Sequence, residues 1–318
     1  LGIFLLMAFI GSLQYVLEHG QQDDWFNNKT IIILSTMTGF GIVLFIWREL
    51  TYKSPVVNLG VLKDGNLRIG TVMCFILGFG LYGSTLIIPI YTQTILGWTA
   101  TDAGLLLIPG SITTAFMMPI VGKLLQRGVP QSYMVGLGFL IFFFFTYMMH
   151  NNMTPSTGVE HLYWGLILRG IGLGLLFVPI TTLSLSTLKG KDIGEGAAFT
   201  GMMRQLGGSF GIATITTFIT RFNQEHRVNL VSHLDTTRLE VQQRVLTLQK
   251  GFMSKGFTAN ESLNKAYQVI DYSVMKQSAV LSYMDIFLYL GIMFLCCIPI
   301  ILLIKKGKNT INPADAMH

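Results

Sequence analysis

Charged residues are scarce in this sequence of 318 residues. Asp, Glu, Lys and Arg make up only 12% of the chain, about half the share usual in soluble domains. The charges fall between long apolar runs, 51% of the residues are hydrophobic, and the mean hydropathy is +0.55. This composition excludes an ordinary soluble domain and predicts an all-α integral membrane protein that lies in a lipid bilayer.

Cysteine is equally rare, and the usual marks of catalysis or metal binding are lacking. Cys74, Cys296 and Cys297 all lie in apolar runs, where they suit small core residues better than a disulfide or a metal site. The six histidines fall mainly in loops without metal-ligand spacing, and the glycine-rich stretches lack the Lys-Ser/Thr of a phosphate loop. We therefore expect no enzymatic activity, no metal and no cofactor. No basic run is interleaved with aromatic residues, so the net charge of +6 does not indicate a nucleic-acid partner.

Long apolar runs are what the sequence does contain. A bilayer core needs about 20 helical residues per crossing. On that basis the sequence predicts eight transmembrane helices: Leu1–Leu17, Thr30–Trp47, Ile69–Tyr91, Ala103–Val121, Ser132–Met149, Leu162–Ser186, Ala197–Thr220 and Ala279–Ile304. The opening LGIFLLMAFIG has no initiator methionine and no basic stretch. It therefore favours a start inside a span of a larger polypeptide over a signal peptide.

The short loops alternate in charge, which predicts the orientation of the chain. Every second loop is basic, as is the carboxy-terminal tail, and the loops between them are acidic or carry no Lys or Arg. Because cytoplasmic loops carry an excess of Lys and Arg, we expect the basic loops and the C-terminus to be cytoplasmic. The segment 221–277 should then be external despite its eight Lys and Arg residues, since long segments cross largely regardless of charge. Two amphipathic stretches predict an external helical hairpin there; a solvated connector is the alternative.

Several motifs occur in an order that resembles a known family. They are GSLQYVLEHGQQDDWF, WRELTYKSPVVNLGVLKDGNLRIGT, GLYGSTLIIPIYTQTILGWTATDAGLLLIPG, LRGIGLGLLFVPITTLSLSTL and MMRQLGGSFGIA. In this order they resemble the second half of the fourteen-span drug/proton antiporters of the EmrB/QacA type, within the major facilitator superfamily. The resemblance covers nearly the whole chain.

The resemblance implies a division of the chain into four parts. Residues 1–49 would be two additional central helices, 50–68 a cytoplasmic amphipathic linker, 69–304 the carboxy-terminal six-helix transport bundle with the external loop 221–277, and 305–318 a cytoplasmic tail. Gly122, Lys123, Arg127 and Gly128 resemble a degenerate copy of the superfamily's cytoplasmic loop motif.

The resemblance also implies an activity and partners. We expect a multidrug efflux transporter of the bacterial inner membrane, which exports small amphipathic or toxic compounds in exchange for protons by alternating access and confers antibiotic resistance. Its partners would be an amino-terminal six-helix bundle, which this sequence does not contain, a periplasmic adaptor and an outer-membrane channel. The alternative is a non-transporting membrane module, such as half of a split transporter or an assembly subunit.

Two charged residues lie at matching depths in different predicted spans. Arg169 and Asp285 are each about 10 Å below the predicted external surface at 1.5 Å per residue. Unpaired charges are costly at that depth. We therefore expect an Arg169–Asp285 pair, which is proton-sensitive; a purely structural pair or two side chains that reach the interface separately are the alternatives.

A second arginine, Arg204, has no intramembrane partner in the sequence and is followed by Gln205. Either residue could face the central cavity and bind a polar or anionic solute, or Arg204 could pair with a carboxylate of the other bundle. The alternative is a structural bond to backbone carbonyls or to the loop carboxylates Asp192 and Glu195.

Aromatic and amide side chains complete the candidate cavity. Tyr82, Tyr91, Gln93 and Phe177 would provide aromatic surface with a few hydrogen-bonding groups, as a promiscuous pocket needs. Ordinary helix packing is the alternative for all four. The glycines around the two arginines have the small-xxx-small spacing that lets membrane helices approach closely, and we predict a packing role for them.

Overall fold

The computed structural model describes residues 2–51, 59–235 and 237–301. Within these ranges the chain forms α-helices and two short 3-10 helices, without any strand. The α-helices are α1 (Gly2–His19), α2 (Lys29–Thr51), α3 (Gly65–Thr94), α4 (Ala100–Leu106), α5 (Ile108–Gln126), α6 (Gln131–Asn152), α7 (Val159–Leu185), α8 (Lys191–Ser232), α9 (Leu239–Met253) and α10 (Ala259–Ile301). The predicted all-α class is confirmed.

Seven of the eight predicted spans coincide with helical segments that are long and apolar enough to cross a membrane. These segments are Gly2–His19, Lys29–Thr51, Gly65–Thr94, Ala100–Gln126, Gln131–Asn152, Val159–Leu185 and Ala259–Pro299. The eighth predicted span, Ala197–Thr220, lies within α8, whose glycines, threonines and Arg204 keep its hydropathy below that of the others. Nevertheless, α8 packs along α3 as a member of the same bundle.

The predicted division into domains stays a prediction. The predicted linker 50–68 is shorter than expected where it is described, because α2 continues to Thr51 and α3 begins at Gly65. Residues 52–58 of that linker, which include the basic Lys53, lie outside the described residues, as does the predicted tail 305–318.

Two helices extend far beyond a bilayer. Helix α8 has 42 residues and α10 has 43, so each is about 60 Å long, twice the thickness of the hydrocarbon core. Their projecting ends, together with α9, make up the predicted external loop 221–277. Helices cover both of its amphipathic stretches, and α9 packs against α10.

An aromatic core holds α6 and α10 together. Phe142 stacks on Phe294 with ring centroids 4.0 Å apart, and Phe145 meets Phe287 edge-on at 5.7 Å. Phe142 and Phe145 are the first and last of four consecutive phenylalanines, a run apolar enough to face lipid throughout. Because successive helical residues turn by about 100°, the run is divided: Phe144 is 59% exposed, whereas Phe142 and Phe145 are fully buried.

Glycines bring α3 and α8 into backbone contact. A Cβ atom at Gly78 would lie 1.9 Å from the carbonyl oxygen of Arg204, and one at Gly207 would lie 2.0 Å from that of Phe75. On α7, a Cβ atom at Gly170 would lie 2.4 Å from the carbonyl oxygen of Gly110. The predicted packing role is therefore confirmed at Gly170 and Gly207, and Gly78 on α3 has the same role. No larger residue fits at these positions without moving a helix.

Gly207→Ala should destabilise the bundle, because the new methyl group would collide with the Phe75 carbonyl; overpacking of this kind costs about 1–3 kcal/mol. Gly201→Ala is the matched control on the same helix, since a Cβ atom there has nothing within 4 Å and alanine favours a helix by about 0.5–1 kcal/mol. Thermal unfolding of the purified variants checks this. Equal melting temperatures for the two variants would contradict the close α3–α8 approach.

Candidate substrate site on helices α3, α7 and α8

Four of the predicted cavity residues come together on three adjacent helices. Tyr82 lies on α3, Phe177 on α7, and Arg204 and Gln205 on α8. We call these four residues the α3–α7–α8 cluster. The close backbone approach of α3 and α8 is what brings the first and last of these helices within reach of each other's side chains.

Two direct contacts define the geometry of the cluster. The Tyr82 hydroxyl donates a hydrogen bond to Oε1 of Gln205 at 2.8 Å. The guanidinium carbon of Arg204 lies 4.5 Å from the centroid of the Phe177 ring, a cation–π contact. The Tyr82 ring also lies against the α8 backbone, since a Cβ atom at Gly208 would come within 2.4 Å of it.

The cluster is open to ligands on its outer side. Gln205 is exposed, and Tyr82, Phe177 and Arg204 are half-buried. The cation–π contact occupies one face of the guanidinium and leaves its N–H groups free to donate. Among the described residues, Arg204 makes no hydrogen bond or ion pair, and the alternative bonds to Asp192 or Glu195 do not form. The arrangement combines aromatic faces with hydrogen-bond donors and contains no carboxylate.

The prediction that Tyr91 lines the cavity is wrong. Its side chain is fully buried, and its hydroxyl donates to the carbonyl oxygen of Thr154 at 2.6 Å and lies 3.0 Å from Oγ1 of Thr157. Tyr91 therefore fastens α3 to the loop between α6 and α7. Gln93 is exposed near the end of α3, about 16 Å along the helix from Tyr82, and does not join the cluster.

The predicted Arg169–Asp285 pair is not formed. Arg169 points toward α3 and bonds neutral groups there: Nε donates to Oγ of Ser84 at 2.8 Å, and Nη2 donates to the carbonyl oxygen of Leu81 at 3.1 Å and to Oγ1 of Thr85. Asp285 lies 2.8 Å from Nε2 of His226 on α8. Equal depth placed the two charges on one level but could not give the direction in which each side chain points.

The predicted loop motif lies at the end of α5, where a Schellman turn ends the helix. Gly128 has a φ of +85°, the amide of Gly128 donates to the carbonyl of Leu125, and that of Val129 to the carbonyl of Leu124. Lys123 and Arg127 are exposed, and a Cβ atom at Gly122 has nothing within 4 Å. Gly128 therefore has a structural reason to be glycine. A latching role for the motif stays a prediction.

Sequence reasoning missed the polar contacts that α1 and the turn after it make with α8. Glu18 accepts a hydrogen bond from Ser209 at 2.9 Å, and Gln21 bonds Thr217 and Thr220. The available signal was the 3.6-residue periodicity of Ser209, Thr216, Thr217 and Thr220 on α8, which places hydroxyl groups along the helix at intervals of one or two turns.

The described part of the chain offers no site for a metal ion, since no group of three or more His, Cys, Asp or Glu side chains comes together in it.

A polar, donor-rich cluster within a bundle of apolar helices is typical of membrane transporters, and comparison with known proteins agrees. A sequence model of the Major Facilitator Superfamily matches residues 1–212. The chain belongs to the major facilitator superfamily. This is a superfamily of transporters, so this multi-pass membrane protein is not an enzyme.

Two relatives of this superfamily member are named for resistance to fatty acids and for multidrug export. It is 29% identical over 305 residues to the "Fatty acid resistance protein FarB" of Neisseria gonorrhoeae, across 96% of this chain and 58% of the relative. It is 30% identical over 235 residues to the "Multidrug export protein EmrB" of Escherichia coli strain K12, across 74% and 46%. The resemblance to the EmrB type is confirmed, and the chain spans about half the length of the curated relatives it matches. The relatives support a place in the bacterial inner membrane.

The contacts of Arg169 predict how mutations in this superfamily member combine. Arg169→Lys should destabilise it, because an ammonium group cannot reproduce the guanidinium contacts to Ser84, Thr85 and the Leu81 carbonyl. Combined with Asp285→Asn, the effects on the free energy of unfolding should add within about 0.5 kcal/mol, since the residues share no partner.

The matched control combines Arg169→Lys with Ser84→Ala, which share a hydrogen bond and should be coupled by about 0.5 kcal/mol or more. Chemical denaturation of the purified single and double variants measures both coupling energies. Strong coupling between Arg169 and Asp285 would contradict this prediction and would indicate that the two side chains form a pair.

Proposed function

We propose that this chain is the carboxy-terminal part of a multidrug efflux transporter. The transporter exports amphipathic or toxic compounds across the cytoplasmic membrane in exchange for protons. The observation that carries the proposal is the α3–α7–α8 cluster, whose open aromatic and donor groups suit the surface of a polyspecific pocket.

Transport would proceed by alternating access between two bundles. The bundle of this chain moves as a unit because α3 and α8 touch backbone to backbone and cannot slide past each other without separating. An amino-terminal six-helix bundle faces the α3–α7–α8 cluster and closes the cavity. Rocking of one bundle against the other then opens the cluster to either side of the membrane.

The free donors of Arg204 favour substrates with an anionic group. The Tyr82 hydroxyl occupies Oε1 of Gln205, so the Gln205 amide keeps its own N–H donors for a ligand. An amphipathic anion would place its charged group on these donors and its apolar part on the aromatic rings. The name of one relative, a fatty acid resistance protein, refers to compounds of this kind.

The proposal includes a cytoplasmic C-terminus and external partners. With the basic loops in the cytoplasm, the end of α8, all of α9 and the beginning of α10 lie outside. This region exposes Val228 by 69%, Leu246 by 52% and Tyr272 by 58%. We assign to it the contact with a periplasmic adaptor, which leads to an outer-membrane channel.

The activity is tested by measuring the accumulation of an amphipathic dye in cells that express the transporter with both bundles, compared with cells that do not. We expect several-fold lower accumulation in the expressing cells, and a protonophore should abolish the difference because the proton gradient drives export. Lower accumulation that persists in the protonophore would contradict proton exchange. Equal accumulation in both cell types would favour the non-transporting module.

The substrate contact is tested by Arg204→Gln. The affinity of the purified transporter for decanoate should fall about tenfold, or 1.4 kcal/mol, because the carboxylate loses its charged donor. The affinity for decanamide, which has the same chain and no charge, should change less than about twofold.

Arg221→Gln is the matched control, since it removes the same charge from α8 about 25 Å away along the helix axis. It should leave both affinities unchanged. Equal losses for the two ligands in Arg204→Gln would assign Arg204 a structural role or a partner carboxylate in the other bundle.

A further inference from the structure

The carboxylate of Glu18, on α1, takes part in the contact between α1 and α8. Glu18 is the last residue but one of α1, an apolar helix long enough to span a membrane. Its Oε1 accepts a hydrogen bond from the Ser209 hydroxyl at 2.9 Å. Ser209 is 1% exposed, so this bond lies inside the α1–α8 interface, while the half-buried Glu18 keeps one oxygen free.

The charge of Glu18 is not balanced by a cation. The three ion pairs among the described residues involve the carboxylates of Glu49, Asp271 and Asp285. Within the described part of the chain, no charged group of the two helices packed against α1 forms an ion pair with Glu18. These groups include Lys29 and Arg48 of α2 and Asp192, Glu195, Arg204, Arg221, Glu225, His226 and Arg227 of α8. The neighbouring His19 stacks on Tyr15 of the same helix. A carboxylate with a hydroxyl donor on one oxygen and no cation on the other has an open position for a proton.

The turn after α1 fixes Glu18 in its place. Gln21 accepts hydrogen bonds from Thr217 at 3.2 Å and from the Trp25 indole at 3.0 Å, and donates to Thr220 at 3.3 Å. Asp24 and Trp25 have φ values of 56° and 52°, a left-handed conformation that residues other than glycine rarely adopt. Such conformations persist where the surrounding contacts hold them. Helix α1 is therefore held against α8 in one register.

The carboxylate lies close to the α3–α7–α8 cluster. Ser209 follows Gln205 by four residues on α8, so the two side chains are neighbours on one face, about 6 Å apart along the helix. Between them, Gly208 supports the ring of Tyr82, which bonds Gln205. A change in the charge of Glu18 thus acts on the helix that carries two of the four cluster residues.

We propose that Glu18 is a proton-binding carboxyl group of the transport cycle, an inference that rests on the proposed function as a proton-driven exporter. Proton binding forms an O–H bond on the free oxygen, and release returns the proton to water; no other bond changes. The position of Glu18 at the predicted external end of α1 gives protons access from outside. Because Ser209 and Gln205 both lie on α8, protonation of Glu18 is linked to the Tyr82–Gln205 contact of the α3–α7–α8 cluster.

Glu18→Gln tests the inference in the transporter with both bundles, reconstituted into proteoliposomes. The variant has the same shape and keeps an acceptor for Ser209 but cannot be deprotonated. Transport of an amphipathic dye driven by an imposed pH gradient should fall at least tenfold. Dye exchange at equal pH, which moves no net proton, should stay within about twofold of wild type, as differential effects on the two reactions separate proton coupling from substrate movement.

Two further variants complete the test. Glu18→Asp keeps a titratable group and should keep gradient-driven transport with an altered pH profile. Glu240→Gln removes an exposed carboxylate on α9 and should change neither reaction.

Gradient-driven transport retained in Glu18→Gln would overturn the inference and leave the proposed function standing. Loss of both gradient-driven transport and exchange would also overturn it, because Glu18 would then only position α1. If the wild-type protein exchanges dye but an imposed pH gradient does not drive transport, the proposed proton-driven function is contradicted. The inference about Glu18 then fails with it.

Discussion

The backbone contact between α3 and α8 is the constraint on which the rest of the structure depends. At Gly78 and Gly207 the two helices approach more closely than any side chain permits. Apolar burial does not drive helices together inside a bilayer, because lipid is as apolar as the helices. Close approach supplies the attraction instead, through dispersion contacts along both backbones. Tyr82 and Gln205 meet only because these helices touch.

Arg169 and Arg204 both lie within predicted spans, but their surroundings give them different roles. Arg169 is 5% exposed and bonds a carbonyl and two hydroxyl groups of α3, so it works as a fastener between α7 and α3. Arg204 lies over an aromatic ring and keeps its donors. Arg169 thus uses three of its five N–H donors on groups of the same bundle. Arg204, by contrast, makes no hydrogen bond to the described residues, which is why the proposed function assigns it to the substrate.

Much of the fold was predictable because hydropathy reports directly on helices that cross a membrane. The spans, the packing glycines and four cluster residues, among them Phe177 and Arg204, follow from runs, spacing and depth. The partners of Asp285 and Tyr91 did not follow, since they depend on rotation about the helix axis and on the loop between α6 and α7. Phe142 and Phe144 show the same limit: composition identifies an apolar run, but only packing decides which side is inside.

The wrong Arg169–Asp285 pairing has a specific physical origin. A charged side chain inside a membrane is usually expected to pair with a side chain of opposite charge. Serine and threonine hydroxyls and a backbone carbonyl satisfied Arg169 instead, and these groups are too common in a sequence to be singled out. Glu18 was overlooked for the reverse reason, because its place at the end of a span resembled an ordinary loop acid.

The length of α8 connects the α3–α7–α8 cluster directly to the projecting region. It runs without a break from the first turn at Lys191, past the α3–α7–α8 cluster, to Ser232 in the projecting region. Because α8 turns with the bundle, a rotation of ten degrees about the cluster would move Ser232 by about 7 Å, since the arm from Gln205 to Ser232 is about 40 Å long at a rise of 1.5 Å per residue. Under the proposed function, a partner bound to the projecting end would therefore influence the orientation of the bundle, and a change at the α3–α7–α8 cluster would move the surface to which that partner binds.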